Sequence, residues 1–360
     1  MKRHGNLYPR ICAQQNLLEA HGKARRGKGH YGEVRLVDGD PLKHISQIRS
    51  SLCNKTYETS EYTIKLVYEP KKRIIYKLPY YPDRIVHHAI MNVLQPIWDR
   101  LFIDDVYSAI PGRGLHAGII KLRKFLKNTN DTKYCLKFDI SSFYPTVNHD
   151  ILLNLISQKI KCKDTLWLLE EIIRSPGGDT NIPIGNYLSQ YLAQIYLNPL
   201  DRWIKETNKC RYYVRYGDDG VILSSDRDHL KTMLGEIKDY LADELQLVLN
   251  PSSKVIPVDS AGIDFLGYRT YRTHSILRKR AARRFKAKVK LICQNGEQMD
   301  PQSLISSVMS YIGWIEFCNG YNLTTKYIIN NESLQDVMNR SASELGIANP
   351  LLKKGYTHGR

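Results

Sequence analysis

The chain has 360 residues, of which 42% are hydrophobic, and its formal net charge is +17. This length supports a sizeable core and two or three domains or lobes, and the charge predicts a nucleic-acid partner because each neutralised phosphate releases condensed counterions. The seven cysteines include no C-x-x-C pair, which argues against a zinc site or a disulfide framework and indicates a reducing compartment. Lys2 and Arg3 follow Met1 with no apolar stretch, and no segment reaches the roughly 18 apolar residues of a membrane span, so we expect a soluble, cytoplasmic protein.

The first predicted elements are a helix, a basic loop and a hairpin. A short helix over about 16–25 leads into the glycine-dotted basic loop 24–30, which is either a solvated connection or a phosphate contact. Two β-rich runs, 62–68 and 74–78, flank a charged turn and predict a hairpin with a basic tip. Apolar residues at helical spacing from Asp83 onward predict a helix of the core.

Strand and helix patterns alternate through the middle of the chain. Residues 134–140 alternate as a half-buried strand does, with Asp139 on the polar face. A helix is expected from about Asp150, and another from Tyr187 until Pro199 kinks or ends it.

A second hairpin and a basic C-terminal lobe complete the predicted elements. The β-rich runs 211–216 and 221–223 are separated only by Gly217-Asp218-Asp219-Gly220, which predicts a tight turn. A helix is expected over about 228–245. From Leu277 onward, apolar residues at helical spacing alternate with arginine and lysine, which predicts a separate helical lobe starting near residue 272.

The adjacent aspartates Asp218 and Asp219 are the sharpest chemical feature. Neighbouring carboxylates repel each other, and Mg²⁺ relieves this repulsion while it keeps waters and substrate phosphates as its other ligands. Aspartate and glycine are also ordinary turn residues. However, Asp139 supplies a carboxylate from a separate strand, as two-metal phosphoryl transfer requires. Asp139 could instead cap a helix, but the Phe143-Tyr144-Pro145 segment is an unpromising helix start. We therefore expect these three aspartates to hold two Mg²⁺ ions, for which Mn²⁺ can substitute.

Five motifs stand in the order of the palm motifs of reverse transcriptases. They are Phe138 to Tyr144, Ile182 to Gly185, Tyr216 to Asp219, Lys254, and Phe265 to Tyr268. The segment 79–90 resembles the fingers of bacterial and group II intron enzymes, and the segment 310–314 resembles their thumb. The chain thus resembles a reverse transcriptase over roughly residues 60–325.

This resemblance implies an α+β, right-hand polymerase with fingers, a palm built on an antiparallel sheet with helices on one face, and a helical thumb. The implied order is a basic N-terminal extension at 1–60, fingers at 61–130, a palm at 131–271 with fingers elements near 160–186, a basic thumb at 272–345 and a tail at 346–360. The implied reaction is attack of a primer 3′-hydroxyl on the α-phosphate of a dNTP. Template RNA and the RNA–cDNA duplex are the implied partners.

A finer resemblance lies in Ile184 and Gln190. Most bacterial relatives carry glutamine and proline at these positions, and both departures resemble the reverse transcriptases of diversity-generating retroelements. The resemblance implies error-prone copying of a template RNA with misincorporation opposite adenine, and a small, basic, helical, oligomeric accessory protein as an obligate partner. Because isoleucine offers no hydrogen bond near the incoming nucleotide, it would weaken discrimination. Ile184 could also simply pack in an apolar loop.

The resemblance also implies roles for the residues around the aspartates. Lys254 would protonate the leaving pyrophosphate or else be an ordinary exposed lysine, and Ile140 is grouped with the metal ligands. Tyr144 would lie under the sugar and exclude a 2′-hydroxyl, unless it is a tyrosine of the palm core. The expected nucleotide contacts are Lys72, Arg73, Ser141, Ser142, Phe143, Tyr144, Ile184, Gly185 and Gln190. The expected primer or template contacts are Tyr216, Phe265, Leu266, Gly267, Tyr268, Arg280, Arg283, Arg284 and Lys290.

Three alternatives stay open on the sequence. The chain could be another bacterial reverse transcriptase of the retron, group II intron-like or phage-defence type, although no DNA-endonuclease domain is expected after residue 330. It could be a non-catalytic RNA-binding module, against which the three intact aspartates argue. It could also be an RNA polymerase, since a Gly-Asp-Asp turn occurs in those enzymes too.

Overall fold

In the computed structural model, the described residues are 3–68 and 72–354. The N-terminal part consists of helices followed by one hairpin, and Lys71 at the hairpin tip lies outside the described residues. The elements are α1 (Tyr8–Ile11), α2 (Gln14–Ala24), α3 (Gly32–Gly39), α4 (Pro41–Cys53), β1 (Thr63–Val67), β2 (Arg73–Lys77), a π-helical turn (Tyr80–Arg84) and α5 (Ile85–Trp98). The predicted first helix, the hairpin and the core helix are confirmed as α2, β1–β2 and α5.

The central part alternates helices and strands. Its elements are α6 (Leu115–Leu126), β3 (Tyr134–Phe138), α7 (Phe143–Thr146), α8 (His149–Ser157), α9 (Lys163–Arg174), α10 (Tyr187–Arg202), a π-helical turn (Trp203–Thr207), β4 (Tyr212–Tyr216), β5 (Asp219–Ser224) and α11 (Arg227–Leu245). The helices α8 and α11 begin as predicted because a side chain caps each: Asn148 accepts from the N–H of Asp150, and Asp226 from that of Asp228.

The C-terminal part holds short strands and then helices. Its elements are β6 (Lys254–Pro257), α12 (Val258–Ala261), β7 (Ile263–Phe265), β8 (Tyr268–Thr270), β9 (Ser275–Leu277), α13 (Lys279–Asn295), a 3₁₀ turn (Gly296–Gln298), α14 (Pro301–Glu316), α15 (Tyr321–Thr324), a π-helical turn (Thr325–Ile329), α16 (Glu332–Glu344) and α17 (Pro350–Lys353). The expected basic helical segment is present as α13.

The strands form three sheets. The pair β1–β2 stands as a two-stranded hairpin, β4-β5-β3-β6 is the order of a four-stranded sheet, and β7-β8-β9 is the order of a three-stranded sheet. Strands β4 and β5 are antiparallel, with Tyr216 opposite Asp219. The mixed helix-and-sheet class is therefore confirmed, whereas the fingers, palm and thumb boundaries stay predictions.

Three local expectations were wrong. A helical turn, α7, does begin at Phe143, shortly after β3 ends at Phe138, with Ser142 before it in a left-handed conformation (φ 49°). An end of α10 at Pro199 is wrong, because the helix continues to Arg202 before the π-helical turn begins, whereas the alternative of a kink there stays a prediction. Leu277 belongs to strand β9 and not to the basic helix, because its backbone pairs with Tyr268 across the sheet.

The chain divides into two compact units. One comprises Met1–Gly118 and Leu136–Val255, and the other comprises Ile119–Cys135 and Ile256–Arg360. The first unit has a core of buried aliphatic and aromatic side chains from helices α2, α5 and α10 and strands β3 to β5. Within the described ranges, no helix is both long enough and apolar enough to cross a membrane.

Candidate active site

The turn between β4 and β5 presents two carboxylates at the end of a buried hairpin. Only Gly217 and Asp218 lie between the strands, so Asp219 is already the first residue of β5 and the turn is two residues shorter than expected. Gly217 has φ +61°, the left-handed region that two-residue hairpin turns use. We call Gly217–Asp218 the Asp218 turn.

Asp139 is held at the end of β3 by the segment that precedes β6. The Asn250 amide donates a hydrogen bond to Oδ2 of Asp139 over 2.9 Å, and the backbone N–H of Asn250 donates to the Asp139 carbonyl over 2.8 Å. The backbone N–H of Asp139 donates to the Ser253 hydroxyl over 3.2 Å. The first bond orients the carboxylate and the other two fix the backbone of Asp139. Sequence reasoning had assigned no role to Asn250 or Ser253.

The three aspartates interact electrostatically. Burial, reinforced by the charges of Asp139 and Asp219, raises the pKa of Asp218 to about 6. Lys137 on β3 lies with its Nζ 3.6 Å from Oδ1 of Asp219 and compensates part of this negative charge. The geometry therefore brings together the carboxylates that the sequence pattern selected and adds Lys137 beside them.

Arg73 and Tyr144 belong to the same neighbourhood. Burial and the charge of Asp218 raise the pKa of Tyr144 to about 12, and Arg73 opposes the shift at both Tyr144 and Asp218. Arg73 is the exposed first residue of β2, and Lys72 before it is exposed too. A cation and a half-buried phenol thus lie near the carboxylates.

The loop before α10 is bonded to the β1–β2 hairpin. The N–H of Tyr76 donates to the Ile184 carbonyl over 2.8 Å. Gly185 has φ +118°, and a β-carbon there would lie 3.0 Å from both the Tyr76 carbonyl oxygen and Cγ2 of Ile75. This close approach explains the glycine. Ile184 is half-buried and Gln190 is exposed on the first turn of α10.

A buried ion pair underlies the Asp218 turn. Arg215 and Asp201 are both fully buried and are joined by two hydrogen bonds of 2.5 and 2.6 Å. The same guanidinium donates to Oε1 of Gln194 over 2.9 Å and to the Gly217 carbonyl over 2.6 Å. Sequence reasoning placed Arg215 in a strand and missed its role. The available signal was a charged residue two positions from Tyr213 on the inward face of an apolar hairpin, where a charge must be paired.

The remaining predicted residues of the first unit are placed as follows. Ile140 and Phe143 are buried, Ser141 and Tyr216 are half-buried, and Ser142 is exposed. Lys254 is exposed and begins strand β6. Its proposed acid role remains a prediction.

Apart from Tyr216, the predicted primer and template residues lie in the second unit. Leu266 and Gly267, both with positive φ, form the turn between β7 and β8, and the rings of Phe265 and Tyr268 are buried. Tyr268 stacks on Trp314, with ring centroids 5.5 Å apart, and a β-carbon on Gly267 would clash with that indole. On α13, Arg280, Arg283 and Lys290 are exposed and Arg284 is half-buried.

The carboxylate donors suit Mg²⁺, which binds oxygen ligands. Burial and the neighbouring carboxylates make the negative charge of Asp218 unfavourable, and a bound cation would neutralise that charge. Within 3–68 and 72–354, no three His, Cys, Asp or Glu side chains converge tightly enough to hold a metal ion by themselves. Mg²⁺ usually takes one or two protein carboxylates and completes its shell with waters and substrate phosphates. The residues fit that mode, and the metal assignment stays a prediction.

Curated relatives include intron-encoded proteins. The chain is 26% identical to Protein YkfC of Escherichia coli K12, over 55% of this chain and 63% of that protein. It is 22% identical to the group II intron-encoded protein LtrA of Lactococcus lactis, over 71% of this chain and 54% of LtrA. The chain thus spans between about half and two thirds of the length of these two relatives.

Solved structures and a family model also match. The apo telomerase of Candida tropicalis aligns with a TM-score of 0.49 and 14% identity, covering 72% of this chain and 58% of that chain. The family model described as reverse transcriptase (RNA-dependent DNA polymerase) matches residues 68–270, more than half of the chain, and includes all three aspartates. The expected enzyme class is confirmed at the level of this family. The chain belongs to the reverse transcriptase (RNA-dependent DNA polymerase) family.

Proposed function

We propose that this chain copies RNA into DNA at the site formed by Asp139, Asp218 and Asp219. The observation that carries the proposal is the electrostatic coupling of these carboxylates, contributed by the end of β3 and by the β4–β5 hairpin, with Arg73 and Tyr144 beside them. The site combines a place for divalent cations, a cation for a triphosphate and an aromatic ring for a sugar. We infer that the reaction takes place in the cytoplasm.

The roles of the protein's own residues follow from their positions. Bound Mg²⁺ would supply charge neutralisation at the triphosphate and at the primer 3′-hydroxyl. Asp139 and Asp218 would hold the cations and align the hydroxyl with the α-phosphate, with Asp219 nearer the primer side. Arg73 would bind the triphosphate, since a guanidinium pairs well with phosphate oxygens. Tyr144 would pack under the sugar and exclude a 2′-hydroxyl.

We further propose the diversity-generating type of reverse transcriptase. Ile184 and Gln190 support this choice because both differ from the residues of most bacterial relatives. The proposed substrates are dNTPs, a template RNA and the RNA–cDNA duplex, and the proposed partner is the small, basic, helical accessory protein. The Ile184 side chain presents no hydrogen-bonding group, so selection of the nucleotide at that position would depend on packing alone.

A group II intron-type enzyme is the second candidate. The named relative LtrA, which aligns with 71% of this chain, favours it. Fidelity separates the two, because only the diversity-generating type is expected to misincorporate opposite adenine.

Two assays test these proposals. Extension of a DNA primer on a homopolymeric RNA template, with dNTPs or rNTPs, separates DNA synthesis from RNA synthesis. A preference for rNTPs would contradict the assignment. Sequencing the cDNA made from a template with all four bases then tests the subtype. Errors concentrated opposite adenine, and reduced by Ile184→Gln, support the diversity-generating type, whereas a faithful product favours the intron type.

A further inference from the structure

We propose that Arg215 is a positioning residue for nucleotidyl transfer, which fixes the Asp218 turn by tying it to helix α10. This inference rests on the proposed function of the site. Arg215 contacts no reacting atom, and its action is exerted through the backbone that carries Asp218.

The first step of the argument is the set of contacts. One nitrogen of the guanidinium, Nη1, donates both to the Gly217 carbonyl over 2.6 Å and to the Gln194 side chain over 2.9 Å. The other two nitrogens, Nε and Nη2, donate to the two carboxylate oxygens of Asp201. Gly217 immediately precedes Asp218, so the hydrogen bond to Gly217 fixes the backbone next to that aspartate.

The second step concerns rigidity. The side chains of Arg215 and Asp201 are 0% exposed, so neither can exchange its partner for water. The planar guanidinium has its donors in a fixed fork, and pairing two of them with Asp201 determines the direction of the rest. The Gly217 carbonyl is consequently held in one orientation.

The third step concerns what the network connects. Gln194 and Asp201 both lie on α10, whose first residue, Tyr187, follows the loop that carries Ile184. The backbone of Arg215 also makes two hydrogen bonds to the segment before α6: its N–H donates to the Asp105 carbonyl, and its carbonyl accepts from the N–H of Tyr107. The Arg215 side chain thereby links α10, which follows the loop that carries Ile184, to the Asp218 turn.

A purely structural ion pair is the rival explanation, and Tyr213 provides the matched control. Its hydroxyl donates to Oδ1 of Asp201 over 2.7 Å, in the same buried network, but does not touch the Asp218 turn. Tyr213→Phe removes one buried hydrogen bond and leaves the bond to Gly217 in place. A comparison of Tyr213→Phe with an Arg215 variant therefore shows whether Arg215 merely supports folding or positions the turn.

The test compares wild type, Arg215→Lys and Tyr213→Phe in single-nucleotide primer extension. Lysine keeps the charge beside Asp201 but cannot reach Asp201, Gln194 and Gly217 together. We expect Arg215→Lys to lower kcat by about tenfold or more, with the KM for dNTP within about twofold and a higher Mg²⁺ concentration at half-maximal rate. Tyr213→Phe should keep kcat within about twofold of wild type, even if its melting temperature falls as far as that of Arg215→Lys.

A second readout needs no polymerase activity. The rise in melting temperature on addition of Mg²⁺ or Mn²⁺ to the free protein should be smaller for Arg215→Lys than for Tyr213→Phe. If wild type makes no DNA under any condition, the proposed function fails and this metal-dependent shift alone decides the role of Arg215. If Arg215→Lys does not fold, Gln194→Ala takes its place, with an expected loss in kcat of about threefold or more.

Two results would overturn the inference. One is an Arg215→Lys protein with wild-type kcat and wild-type metal dependence. The other is a Tyr213→Phe protein that loses as much kcat as Arg215→Lys, since that would assign the effect to the stability of the network.

Discussion

Gly220 lies directly against the ring of Phe138. A β-carbon on this glycine would be 2.1 Å from Cζ of that phenylalanine. The contact joins β5 to β3 next to the positions that carry Asp219 and Asp139, so it sets the spacing of the two strands at the site. Together with the positive φ of Gly217 (+61°), it explains why Asp218 and Asp219 are flanked by glycine on both sides.

Replacement of Gly220 by alanine should separate the two strands. We expect Gly220→Ala to lower stability by about 1–3 kcal/mol, as overpacking does, and to reduce primer extension by more than its loss of folded protein explains. Circular dichroism melting and single-turnover extension measure the two effects. Gly235→Ala is the control: Gly235 lies within α11, and a β-carbon added there would meet nothing within 4 Å, so the substitution should be neutral or slightly stabilising. Equal behaviour of the two variants would refute the strand-spacing role.

Asp218→Asn should stabilise the protein while it abolishes synthesis. The folded-state pKa of Asp218 is raised from 3.8 to about 6, so the folded protein binds this proton more tightly than the unfolded chain does. The stability contributed by that proton is complete below pH 3.8 and is lost as the pH rises through about 6. Without divalent cations, the free energy of unfolding of the variant should therefore exceed that of wild type by roughly 1–3 kcal/mol at neutral pH and by little near pH 4.

Thermal melts in EDTA across pH 4 to 8 measure this difference. Asp179→Asn serves as the matched control, because Asp179 is exposed in a loop and the substitution should change neither stability nor activity. A difference in stability between wild type and Asp218→Asn that is independent of pH would contradict the electrostatic account.

Tyr144 should discriminate between deoxyribose and ribose. We expect Tyr144→Ala to lower the ratio of kcat/KM for dNTP to kcat/KM for rNTP by roughly tenfold or more, because a removed steric contact is worth about that factor. Tyr144→Phe retains the ring and should keep the ratio near that of wild type. Steady-state incorporation of a single dNTP or rNTP measures it, and unchanged discrimination in the alanine variant would place the residue among the core tyrosines.

The basic helix α13 should bind the template–primer duplex through phosphates. Arg283 is exposed on this helix, and Arg283→Gln should weaken binding on every sequence alike and reduce the slope of log K against log salt by about 0.7–0.9. Fluorescence anisotropy at several salt concentrations gives the slope. Lys238→Gln, at an exposed position of α11, should leave it unchanged; a similar change in both variants would indicate a diffuse effect of net charge.

Much of the local structure followed from sequence periodicity. The apolar spacing that predicted α5 and the turn residues that predicted the β4–β5 hairpin report on local interactions, and both elements are present. Leu277 was misplaced because one residue fits the end of a strand and the start of a helical stripe equally well. Its partner Tyr268 decides between them, and that pairing is tertiary.

For the candidate site too, residues with a local signal could be predicted and residues with tertiary partners could not. The motif order was sufficient to select Asp139 and Asp218, because their residue types and strand context carry the signal. The residues that position them could not be identified, since Arg215 finds Asp201 and Asn250 finds Asp139 only after the chain has folded. A buried arginine inside a strand pattern is the kind of local inconsistency that signals such a partner.

Primer extension by carboxylate variants tests the central claim most directly. Wild type, Asp139→Asn, Asp218→Asn and the control Asp179→Asn would be given a primed RNA template with all four bases, dNTPs and Mg²⁺, with the accessory protein and cognate RNA added if the isolated chain is inactive. We predict full-length cDNA from wild type and Asp179→Asn, and a loss of at least about a thousandfold in rate for the other two, because each removes an oxygen ligand of the cations. Continued synthesis by Asp139→Asn or Asp218→Asn would contradict the claim that these carboxylates form the polymerase site.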